Sequence, residues 1–77
     1  MGTVRLRVFA WLRRQRPDLA DRAVELGGVA TVQGLLDAVR LEAPEGAIII
    51  VSDRQAGPGT PLSDGDTVSV FPMLEGG

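Results

Sequence analysis

Seventy-seven residues, 44% of them apolar, suit one small domain with a single core and rule out a disordered chain. There is no Cys, no His and no Lys, since all eight basic residues are Arg. That excludes disulfides, thiol nucleophiles, thiolate or imidazole metal sites, a neutral-pH imidazole base and a side-chain Schiff base. Only carboxylates and hydroxyls remain for catalysis, because Arg stays protonated. The inventory points to a carrier or binding module, not to an enzyme active alone. No run of about 18 apolar residues is present, so no membrane span is expected. Arg5 and Arg7 interrupt the only early apolar stretch, so neither a signal peptide nor a membrane partner is expected. The expected location is the cytoplasm. Charge is uneven: residues 1–22 hold six Arg and two Asp, net +4, and residues 23–77 two Arg and eight acids, net −6. With an overall charge of −2, no nucleic-acid partner is expected. The cluster Arg13-Arg14-Gln15-Arg16 reads as a solvated helix or loop face rather than a phosphate site.

Val4 to Phe9 alternates apolar and polar, as a half-buried strand does. Val4, Leu6 and Val8 are predicted to face the core, and Arg5, Arg7 and Phe9 the other side. Ala10 to Arg16 predicts a short helical turn, ended by Pro17 through its restriction of Arg16. Asp21 to Leu26 alternates again, with Val24 and Leu26 on one face, until Gly27-Gly28 breaks it. These two strands are expected to pair as an antiparallel hairpin with a long connection. Thr31 is the expected N-cap of a helix whose stripe is Val32, Leu35, Leu36 and Val39. Pro44 and Gly46 are expected to stop that helix, and Gly34 to let it sit close on a sheet. Ala47 to Val51 is a continuous apolar run. It fits a central strand covered on both faces; on a one-layer sheet it would expose an apolar patch to a partner.

Ser52 to Pro61, with two Gly and two Pro, reads as a surface loop. Ser63-Asp64-Gly65-Asp66 is a tight-turn signal. Thr67 to Phe71 alternates cleanly as the last strand, and Pro72 lacks the N–H that further pairing needs. The expected organisation is a domain over residues 1–72 and a flexible tail over 73–77. No repeat or low-complexity segment occurs. The order strand, strand, helix, strand, turn, strand is an α+β layer pattern, with the first and last strands able to lie parallel.

The sequence given ends Glu75-Gly76-Gly77. Glycine has no Cβ, so a Gly-Gly segment fits a channel too narrow for other residues. This points to the C-terminal carboxylate as the reactive group. Six steps from Phe71 to Gly77 reach at most roughly 20 Å, enough to enter a partner's pocket. Phe9 and Phe71 are predicted to share one face if their strands are neighbours. Aromatic and Met side chains are enriched at interface cores, which singles out Phe71 and Met73. Asp64, Asp66 and Glu75 are placed to meet basic groups, although turn formation alone accounts for the two aspartates.

Val8-Phe9-Ala10 with Leu12-Arg13, then Pro61-Leu62-Ser63-Asp64-Gly65-Asp66-Thr67-Val68, then Phe71-Pro72 leading to Gly76-Gly77, resemble the MoaD/ThiS family of ubiquitin-like sulfur carriers. The likeness is greatest to the small subunit of molybdopterin synthase. The resemblance implies a β-grasp fold, with a mixed sheet of four to five strands and one main helix on one face. It implies that Gly77 is adenylated and converted to a thiocarboxylate that donates sulfur, most directly in molybdenum cofactor biosynthesis. Gly76, Glu75, Leu74, Met73, Phe71 and Phe9 would contact partners. The implied partners are a ubiquitin-activating-type adenylating enzyme, a sulfur donor protein and a large, MoaE-like synthase subunit. The chain itself would bind no cofactor or metal; ATP and magnesium would be used by the activating enzyme. Carriers for thiamine, cysteine or another sulfur-containing metabolite, and ubiquitin-like protein modifiers, share this chemistry. Two departures leave the pathway open. The family often has Asn-Gly where this chain has Ser52-Asp53, and Pro-Pro before a small residue where it has Pro72-Met73-Leu74-Glu75.

Overall fold

The computed structural model describes residues 2–72. Its elements run β1 (Thr3–Val8), α1 (Ala10–Gln15), a 3₁₀ turn (Pro17–Leu19), β2 (Arg22–Glu25), α2 (Val32–Ala38), β3 (Ile48–Val51), β4 (Arg54–Ala56) and β5 (Thr67–Phe71). The five strands form one mixed sheet in the order β2-β1-β5-β3-β4. The expected β1–β2 hairpin is present and antiparallel, with Val4 opposite Val24. β5 lies in the middle, parallel to β1 and antiparallel to β3.

One face of the sheet is covered. Val4, Leu6 and Val8 of β1, Ile49 and Val51 of β3, and Val68 and Val70 of β5 are buried there. Leu12, Leu19, Val32, Leu35, Leu36 and Leu41 close over them. Among the described residues no polar or charged side chain is buried, so the core makes no demand for internal ion pairing.

Thr31 caps α2 as its sequence predicts: its hydroxyl accepts from the Gly34 N–H at 3.2 Å. The next free N–H groups are satisfied from a loop, Val32 bonding the Thr60 carbonyl and Gln33 that of Pro58. α2 does not run on to Pro44. Arg40 takes a left-handed φ of 57°. The Leu41 N–H returns to the Leu36 carbonyl at 2.9 Å, and that of Arg40 to Asp37 at 3.1 Å. This is a Schellman ending with Arg in the place glycine usually takes. Arg16 reinforces it from outside, its guanidinium donating to the carbonyls of Arg40 at 2.7 Å and Val39 at 3.0 Å and pairing with Asp18. Arg16 therefore leaves the solvated cluster predicted for residues 13–16, while Arg13 and Arg14 remain exposed. Gly34 does not touch the sheet. A Cβ there would meet the Thr31 hydroxyl and Val29 at 3.5 Å, ordinary contact distance.

Two expectations about the third strand change. The Ile48–Val51 run is covered on one side, with Ile49 and Val51 buried and Ile48 and Ile50 half-buried on the other. Ser52 to Pro61 is not all loop, because Arg54–Ala56 returns as β4. Ser52 and Asp53, at φ of 47° and 79°, supply the two positive φ values of a type I′ hairpin. Their Cβ atoms make the conformation costly, and side-chain bonding holds it. The Ser52 hydroxyl donates to Asp66 at 3.1 Å and accepts from the Thr67 N–H at 3.2 Å.

Candidate functional site

The uncovered face of the sheet is where the predicted site residues meet. Strand alternation sends Val68 and Val70 into the core and leaves Thr67, Ser69 and Phe71 on the other side. The parallel register sets Arg7 beside Ser69 and Arg5 beside Thr67. The Phe9 N–H donates to the Val70 carbonyl at 3.1 Å, carrying the ladder one step past β1. That bond brings Phe9 alongside Phe71. Their rings stack with centroids 4.4 Å apart and planes inclined by 9°. Across β5, Ile48 is opposite Phe71 and Ile50 is opposite Ser69. An apolar strip of Phe9, Phe71, Ile48 and Ile50 thus lies where β5 ends.

Phe71 is 38% exposed and is the large apolar side chain that the described residues leave in water. A stacked, solvent-facing aromatic pair on a rigid sheet is suited to a protein interface, where aromatic side chains are enriched. Pro72, which directly follows, is buried. Chain leaving the sheet therefore starts from a packed anchor. Met73, Leu74, Glu75, Gly76 and Gly77 lie outside the described residues, as does the proposed boundary between domain and tail.

The two turn aspartates are engaged within the fold. Asp64 accepts from the Thr3 N–H at 2.9 Å, and Asp66 from the Ser63 N–H at 2.8 Å. Gly65 takes φ of 91°, as the turn signal requires, and its N–H bonds the Thr3 carbonyl. This turn thus fastens the start of β5 to the start of β1. Among the described residues no group of three or more acidic side chains is arranged to hold a metal ion. A concavity of about 540 Å³ lies between α1 and α2 beside Leu12, Arg16, Leu36 and Leu41 and includes none of the predicted site residues. A smaller hollow of about 410 Å³ extends the open face past Ile50, edged by Ser52, Asp53, Thr67 and Ser69.

Sequence reading missed one neighbour of the aromatic pair. The Arg7 guanidinium carbon lies 5.3 Å from the centre of the Phe9 ring, a cation–π contact. The i, i+2 spacing of Arg7 and Phe9 on one strand was the available signal.

No helix of the described residues is long and apolar enough to cross a membrane. Similar solved structures share the whole architecture. SAMP1 from Haloferax volcanii superposes with a TM-score of 0.78 at 23% identity, over 99% of this chain and 100% of that one. A second structure, of H. volcanii small archaeal modifier protein 1, gives 0.78 at 20% identity over 96% and 100%. A Pyrococcus furiosus protein assigned as molybdopterin converting factor subunit 1 gives 0.76 at 27% identity over 96% and 100%. These likenesses establish the ubiquitin-like β-grasp fold, built here with two α-helices among the described residues. No curated protein sequence matches the chain. The model of the ThiS family matches residues 6–77, nearly the full length, and the chain belongs to the ThiS family.

Proposed function

We propose that this protein is a sulfur carrier that works as the small subunit of a molybdopterin synthase. The observation behind this reading is the family match, which extends through Gly76-Gly77. The molybdopterin assignment draws on the P. furiosus neighbour, the more similar in sequence of the structures above. The stacked Phe9 and Phe71, set just before Pro72, supply a docking surface where a partner has to grip the segment that follows.

A carboxylate is a poor electrophile, so the chemistry begins on a partner. An adenylating enzyme directs the Gly77 carboxylate oxygen onto the α-phosphorus of magnesium-bound ATP, and pyrophosphate leaves. A sulfide equivalent from a donor protein then attacks the acyl carbon, and AMP leaves with the oxygen. The product is a Gly77 thiocarboxylate. On the large synthase subunit that sulfur passes to the acceptor, and water returns Gly77 to a carboxylate. The acids and bases for each step come from partners, consistent with a chain that has no Cys, His or Lys. Gly76 provides the narrow, Cβ-free entry.

The test is mass spectrometry of the full chain after incubation with the adenylating enzyme, ATP, magnesium and a sulfide source. One oxygen of the C-terminal peptide should be replaced by sulfur, and deletion of Gly76 and Gly77 should abolish this without moving the unfolding midpoint. Adding the large synthase subunit and the molybdopterin precursor should discharge the sulfur. Sulfur that forms but passes only to a thiamine or cysteine precursor would reassign the pathway. Isopeptide conjugates on other proteins, without thiocarboxylate, would replace the carrier reading with a modifier.

A further inference from the structure

β1 places two arginines on the open face, and they are not equivalent. Arg5 is ion-paired with Asp21. Arg7 has no carboxylate partner among the described residues. Its neighbour on β5 is Ser69, and beyond Ser69 lie Ile50 and Gln55, none of them charged. Asp21 is taken by Arg5, and Asp66 by Ser63 and Ser52. Glu25 stands opposite Thr3, toward the other end of β1.

Arg7 is also held in place. Its guanidinium rests on Phe9, and Phe9 stacks on Phe71. Guanidinium and two rings form one continuous row, so a surface that covers the aromatic pair also covers the cation. Arg keeps its charge at any working pH, and shutting it off from water without a counter-charge is strongly unfavourable. Among the described residues no carboxylate lies within ion-pairing distance of Arg7, and Asp21 is already paired with Arg5, so the covering surface has to bring one.

We propose that the partner of the open face is a protein surface presenting a carboxylate within an apolar patch, and that Arg7 selects that partner. This rests on the reading that the large synthase subunit docks on Phe9 and Phe71. A second copy of this chain does not meet the requirement, because face-to-face pairing sets Arg7 and the same apolar strip against themselves. Nucleic acid does not meet it either, since among the described residues this face has one cation without a carboxylate partner beside four apolar side chains. A planar guanidinium held against a ring favours bidentate pairing with a carboxylate, which Lys does not reproduce.

The experiment is calorimetric binding of the full-length protein to the purified large molybdopterin synthase subunit of the same organism, at two ionic strengths. Arg7→Ala, Arg7→Lys, Arg7→Glu and Phe71→Ala are compared with wild type, with unfolding midpoints recorded. Arg7→Ala should weaken binding about 30-fold, Arg7→Lys by less, and Arg7→Glu by about 100-fold or more at low salt. All three should keep the wild-type midpoint within a few degrees, because Arg7 is exposed. An Arg→acid change that leaves affinity within about threefold, while Phe71→Ala weakens it, overturns the role of Arg7 and keeps the docking face. Wild-type protein that takes on sulfur at Gly77 yet does not bind the large subunit overturns the synthase reading and this inference together. A partner acid whose Arg replacement restores binding to Arg7→Glu identifies the carboxylate.

Discussion

The two faces of this sheet are made from the same strands by alternate residues, and they obey different rules. Val4, Leu6 and Val8 are buried, while Arg5 and Arg7 between them are exposed. On β5, Val68 and Val70 are wholly buried, while Phe71 stands in water. The buried side chains of the covered face are all aliphatic, and two short helices and the chain around them close over it. The other keeps an aromatic pair, two half-buried isoleucines and a guanidinium with no carboxylate partner among the described residues. Folding accounts for the first face and leaves the second unexplained. In a domain this small, apolar side chains that do not join the core are the strongest structural pointer to a partner.

That contrast can be broken most directly from the core side. Leu6→Ala removes a fully buried side chain, and should cost about 2–5 kcal/mol of stability, read from denaturant unfolding. Val70→Ala should cost less, in the same direction. Phe71→Ala should do the reverse. Losing the ring stack costs about 1 kcal/mol in folding, but partner affinity should fall about 10- to 100-fold. If Phe71→Ala unfolds the domain as badly as Leu6→Ala, the two faces do not differ in kind. The covering layer has a smaller effect that sharpens the comparison. Gly34→Ala should stabilise by about 0.5–1 kcal/mol, since its Cβ meets only ordinary contacts and the helix gains propensity. Partner affinity should not change. The smallest effect concerns pH. The Arg16 guanidinium beside Asp18 holds that carboxyl below the ordinary carboxylate range. Its contribution is therefore present above the ordinary carboxylate pKa and is lost as pH falls through the folded-state value. Asp18→Asn should lower the unfolding midpoint slightly at neutral pH, and the difference from wild type should shrink as pH falls through the folded-state value of Asp18.

Local pattern was legible and long-range bonding was not. The alternation of β1 and β5, the Val32, Leu35 and Leu36 stripe and the Thr31 cap all depend on neighbours within a few positions. The pairing of Phe9 with Phe71 followed from placing the first and last strands side by side. β4 escaped notice because its signal is normally glycine or asparagine. Here Ser52 and Asp53 adopt positive φ while the Ser52 hydroxyl donates to Asp66 and accepts from the Thr67 N–H, both more than ten positions away. The end of α2 was misplaced for the same reason. The apolar stripe continues to Val39, but Arg40 turns left-handed and Arg16, 24 positions earlier, binds its carbonyl. At the site, the aromatic residues were marked by type, whereas the significance of Arg7 depends on which neighbouring acid is already taken.

The place of β5 has a consequence for synthesis of the chain. The β1–β2 and β3–β4 hairpins are both complete by Ala56, yet no ladder joins them. The strand between them follows both in the chain, as the last of the described strands. A growing chain therefore cannot settle its sheet hairpin by hairpin as it leaves the ribosome, because the parallel β1–β5 pairing closes across some sixty residues. A transcript cut short before Thr67 would yield two loose hairpins with exposed core valines, fit for degradation and not for display of a half-made docking face.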